Sequence, residues 1–172
     1  FMQWIESFCD TCAKYLGVII SFLLILMMVN VAFDTLNRYL MNSNSVALQE
    51  MEWHLFSVII LLGTSYALSE EGHVRVDIFY TNFSAKKKAI INMIGVVTFM
   101  LPLSLLVAFG SLGFVEEAYI FMEQSGDPGG LPYRFIIKGL IPTSFFILIF
   151  MSVGYFARNY NLLKRLNSGS KS

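Results

Sequence analysis

A handful of residues in this sequence have types and spacings that could do chemistry. Cys9-Asp-Thr-Cys12 has the spacing of a metal knuckle or a redox pair, and these are the two cysteines of the chain. A structural zinc needs two further ligands, and no second pair supplies them. A redox pair of this kind belongs beside a βαβ pattern, which the sequence lacks. Two reduced thiols on an interfacial helix is the plainer reading. His54 and His73 are the two histidines, and paired histidines can hold haem iron in a membrane anchor. The span assignment below sets them at opposite membrane faces, where they cannot clamp one iron. No nucleophile beside a base, phosphate loop or pair of catalytic carboxylates stands out. Neither an enzyme nor a bound cofactor is expected.

Charges at the ends of apolar stretches are the next candidates. Arg38 closes one such stretch, while Glu50 and Glu52 open the next, so a bridge from Arg38 to Glu50 is the expected pairing. Lys138 stands one turn into a later stretch, from which it would snorkel outward or meet Glu116 or Glu117. Solvated or structural charges are the ordinary reading of such groups, and contact with a larger partner is the rival one. Asn30 is the deepest strongly polar residue, and a single Asn makes no ion pathway.

The elements that position these residues follow from hydropathy. The chain has 172 residues, 56% hydrophobic and 14% charged, with a mean hydropathy of +0.63. A soluble domain of this length would need more charge for its surface, so lipid is the expected solvent. With zero net charge, nothing points to nucleic acid. About 20 apolar residues of helix cross the hydrocarbon, and runs at 15–33, 47–68, 90–114 and 135–156 qualify. An all-α integral membrane protein with four transmembrane helices is therefore predicted. It would form one membrane domain over 1–166, with a flexible tail at 167–172.

With the N-terminus inside, nine of the twelve Lys and Arg residues fall on the cytoplasmic side, leaving Arg38, Arg134 and Lys138 outside. The positive-inside rule then places both ends in the cytoplasm. No charged segment, apolar run and small-residue cleavage site open the chain, so no signal peptide is expected. Trp4, Ile5, Phe8 and Cys12 at helical spacing predict a short interfacial helix before the first span. The stretch from His73 to Tyr80 reads as a second surface-lying segment. Gly63 and Ala67, four apart, would let another helix approach closely. Pro102 and Pro142 would bend the third and fourth spans.

No internal repeat and no cluster of intramembrane charge is visible, which argues against a self-contained pump. A scaffold presenting a packed face to another membrane protein fits better. The stretch from Arg38 to Asp77 resembles the small membrane subunit of tripartite ATP-independent periplasmic (TRAP) transporters. The resemblance rests on Arg38, the acidic start Gln49-Glu50, the small region Gly63 with Ala67, and the run His73-Val-Arg-Val-Asp77. Leu131-Pro-Tyr-Arg134 also fits, and length and topology match over nearly the whole chain. The resemblance implies uptake of an organic acid, such as a carboxylate or sialic acid, across the bacterial inner membrane. It implies a soluble periplasmic binding protein that delivers substrate and a large elevator-type permease that carries the substrate and sodium sites. The small subunit would brace that permease, with Arg38, Glu50, Glu52, Gly63, Ala67, His73, Asp77 and Lys138 as partner-facing or helix-packing residues. Two other classes stay open: a small multidrug-exporter-like homodimer, and a cytochrome-type membrane anchor.

Overall fold

The computed structural model of the chain describes residues 2–70 and 83–169. Among them no strand occurs, and the helices run as α1 Met2–Leu40, α2 Val46–Ser69, α3 Ala85–Gly95, α4 Leu101–Gly110, α5 Leu112–Ile120 and α6 Arg134–Gly169. A π-helical turn, Val96–Met100, joins α3 to α4. The segments from Ala85 to Ile120 form one rod, so four helices are long and apolar enough to cross a membrane. In lipid a helix is the one open element that satisfies every backbone group internally, which is why long apolar runs become helices here.

The connections obey local chemistry. Asn42 takes a positive φ of 48° between α1 and α2, a conformation that Asn tolerates better than most residues. Ser45 then caps α2, its hydroxyl accepting the Leu48 N–H at 3.4 Å. Ser84 caps α3 in the same way through Lys87.

Pro102 explains the π turn. It has no N–H to donate back along the rod, and its ring crowds the preceding turn. The chain responds one residue earlier, where the Leu101 N–H bonds back to the Val96 carbonyl. Such widened turns absorb a local misfit without ending a helix. Pro142 sits inside α6, which continues past it.

α6 is the central element. It packs against α1, against α2 and against every part of the third rod, while α1 and α2 also pack on each other. The third rod finds its main neighbour in α6. Small residues make these approaches possible: Ala89, Ala108, Ala157, Ser65, Ser104, Ser144 and Ser152 are all buried. The tightest contact is at Gly154 on α6, where an added Cβ would stand 2.4 Å from the sulfur of Cys9 on α1. Gly17 receives the ring of Tyr66 on α2 with similar closeness, 2.8 Å from an added Cβ.

The stretch carrying Trp4 and Phe8 is helical, as its spacing predicts, and leads into the first span without a break, so that α1 runs from Met2 to Leu40. It is held by α6, whose Phe150 meets Phe8 edge-on at 5.8 Å. At the other end of the chain α6 runs on to Gly169, through the first residues of the stretch expected to be a tail. The surface segment expected at 73–80 lies outside the described residues.

Candidate functional site

One end of the bundle carries the α1–α2 connection and the 121–133 loop; the other carries Met2 and Gly169. Each end has a polar cluster, and each cluster ties helices together.

At the loop end the hub is Glu50, just past the first turn of α2. One carboxylate oxygen accepts the Ser125 hydroxyl and an Arg134 guanidinium N–H at 3.1 Å. The other accepts the Leu131 backbone N–H at 2.5 Å. The loop folds onto this carboxylate through its own bonds: Ser125 N–H to the Leu131 carbonyl, Gly130 N–H to that of Asp127, and Arg134 N–H to that of Glu123. Gly129 supplies a left-handed turn at φ 82°. Gly130 supplies room, since an added Cβ would lie 2.4 Å from Ser125 and 2.8 Å from Glu50.

Arg38 does not reach Glu50. It pairs with Asp34 one turn back on its own helix, which buries Asp34 to 1% exposure. Side chains four apart on a helix face meet without any tertiary requirement, and Glu50 is already occupied by the loop. Lys138 likewise takes neither Glu116 nor Glu117. It pairs with Glu123, where the loop returns, and its ammonium stands 3.9 Å over the Phe114 ring. Glu52 has no hydrogen-bonding or ionic partner among the described residues. His73 and Asp77 fall outside those residues.

Asn30 donates to the Leu48 carbonyl at 3.0 Å, stitching α1 to α2. An open cleft of about 420 Å³ lies beside Glu50, lined by Gln49, Trp53, His54, Asp127, Arg134 and Lys138 among others. The Nδ1 of His54 is buried there without a partner among the described residues. Among the described residues, nothing beyond its own stretch of helix lies within 4 Å of where a Cβ on Gly63 would stand.

The terminal end holds residues that the sequence reading did not single out as a site. Arg158 on α6 donates to the Asp10 carboxylate of α1 and to the Ser69 carbonyl at the end of α2, 2.8 Å away. Asn161 donates to Glu6 at 2.7 Å, and Asn92 of α3 to Asn159 at 2.9 Å. About one turn of α6 thus gathers every membrane-crossing element. In sequence Asp10 and Arg158 look like ordinary interfacial charges, and no local spacing connects them.

Neither cluster resembles a reaction centre. Among the described residues no group of three or more His, Cys, Asp or Glu is placed to hold a metal. Cys9 and Cys12 are both free thiols. What the arrangement does chemically is fix helix ends, leaving one flank of α2 uncovered.

Four apolar helices, three of them packed on a central α6, with charges gathered at the two ends, define a multi-pass membrane protein. The family model for "Tripartite ATP-independent periplasmic transporters, DctQ component" matches residues 15–162, so the chain belongs to that family, the small subunits of TRAP transporters. No curated protein matches it.

Proposed function

We propose that this chain braces the large elevator-type permease of a TRAP system. In this reading the transporter takes up an organic acid, such as a carboxylate or sialic acid, with sodium, after a periplasmic binding protein delivers it. The observation that carries the reading is the family match across residues 15–162. The geometry agrees with it. The polar clusters bind this chain's own helix ends together, and the flank of α2 that carries Trp53 and Ile60 is left exposed. The sodium and substrate sites are assigned to the permease, and neither a cofactor nor an enzymatic activity is assigned to this chain. Its partners are then the permease, the binding protein at the loop end and membrane lipid, and nucleic acid is not among them. The chain forms one membrane domain in the bacterial inner membrane. Both termini are cytoplasmic, supported by the nine-to-three distribution of Lys and Arg.

Co-expression with a tagged permease tests the reading. The expected result is a 1:1 complex, and uptake by reconstituted vesicles that needs this chain, a sodium gradient and the binding protein. A chain that purifies as a stable homodimer and retains no permease would refute it.

A further inference from the structure

We propose that the open flank of α2 seats one transmembrane helix of the permease, with chemistry that the flank dictates. That helix carries small side chains and a Lys or Arg at the loop end, and bulky apolar side chains toward the terminal end. The proposal rests on the bracing role above and names the face that performs it.

Gln49, Trp53, Phe56, Ile60, Gly63 and Ala67 alternate by four and three residues along α2. That spacing puts side chains on one nearly straight stripe, the geometry by which a second helix packs at a shallow crossing angle. The stripe is free: Trp53 is 70% exposed, Phe56 46% and Ile60 50%. Beside it a groove of about 440 Å³ runs between α2 and α6, walled by Trp53, Phe56, Ile60, Ile137 and Ile141. The stripe also tapers, from indole and phenyl rings at the loop end to Gly63 and Ala67. A complementary helix must taper the other way.

Hydropathy and charge decide the occupant. The most apolar stretch of α2 is less apolar than that of any other crossing helix, and it is as little buried within the chain as that of α1. The hydroxyls of Ser57 and Thr64 return to carbonyls of their own helix, so the polarity that lipid leaves unsatisfied is at the loop end, where the Nδ1 of His54 is buried without a partner among the described residues. At the loop end Arg134 and Lys138 are already paired with Glu50 and Glu123. The carboxylates of Glu52 and Asp127 have no partner among the described residues, so the unbalanced charge is negative. A basic residue complements it. A lipid phosphate would be repelled, and a parallel second copy would set like charges together.

The test places a photoreactive residue at Phe56 or Ile60, or at Phe22 or Ile25 on the exposed face of α1, in membranes containing the co-expressed permease. Crosslinks to the permease are expected from the α2 positions alone. Gly63→Leu should lower the permease recovered on the tagged chain by about tenfold. Its own yield and helicity should hold, since no other described element lies within 4 Å of a Cβ on Gly63. Asp127→Lys should lower recovery in low salt. Crosslinking from α1 instead, crosslinking from α2 to a second copy or to lipid only, or full recovery with Gly63→Leu would overturn the proposal. If the unaltered chain still retains permease in those cases, the bracing role survives and only this face is wrong. If it retains none, both readings fall.

Discussion

Glu50 gathers a hydroxyl, a backbone N–H and a guanidinium on one carboxylate, so single residues here act by fixing the loop that packs on them. Glu50→Ala removes all three acceptor contacts at once, and the 121–133 segment should exchange its amide hydrogens much faster while the core of α6 does not change. Hydrogen exchange of the complex in detergent reads this directly, and unchanged loop protection would mean that the carboxylate is incidental. Gly130→Ala should loosen the same loop from the opposite side, because its methyl has no space beside Ser125 and Glu50. A charge-reversal cycle separates the pairings: Glu50 with Arg134 should show coupling, and Glu50 with Arg38 none, since Arg38 is bound to Asp34. Sequence made Arg38, Glu50 and Lys138 visible as charges at helix ends. Asp34, four residues before Arg38, was within reach of local spacing; the partners of Glu50 were not, because Ser125, Leu131 and Arg134 reach it only after a loop folds back across 75 to 84 residues.

Among the elements, α1 and α6 extend well past the length that hydrocarbon requires, 39 and 36 residues against about 20. Their extensions lie together because Gly154 admits Cys9 and Arg158 binds Asp10. Apolar runs reveal where lipid needs a helix and say nothing about where the helix stops beyond it; the helical spacing from Trp4 to Cys12 made the first extension legible, whereas the run of α6 to Gly169 was not. Gly154→Val should drive α1 from α6 and cost about 1–3 kcal/mol, the scale of over-packing a tight contact. Thermal loss of helicity in detergent measures it. Combining Gly154→Ala with Cys9→Gly exchanges which helix carries the Cβ and should recover much of the stability lost in Gly154→Ala alone. No recovery would show that the contact is not what joins the two extensions. The π turn tells a similar story: Pro102 was readable as a distortion, but its form as a widened turn depends on which carbonyl the Leu101 N–H finds.

For the whole molecule, a coupling site in this subunit would need groups that bind and release an ion during transport, and its carboxylates are the charged candidates. The described residues bury one charged side chain, Asp34, and its carboxylate is paired with Arg38 on the same helix. Asp34 and Arg38 therefore move together in any rigid displacement of α1, and Glu50 moves with the loop that encloses it. Groups tied to their own element bear structural load and are poorly placed to bind and release sodium in a cycle. Asp34→Asn, Glu50→Gln and Glu52→Gln should accordingly lower the amount of complex or the uptake rate and leave the number of sodium ions per substrate as it was. Glu52 has no partner among the described residues, so its substitution should act on complex yield, through the basic residue proposed on the permease helix, and leave this chain's own packing as it was. Vesicles holding purified complex, with sodium and substrate fluxes measured in the same preparation, give the ratio independently of yield. A ratio that falls by one ion in any variant would place a coupling site in this subunit. The bracing role would then give way to direct participation in transport.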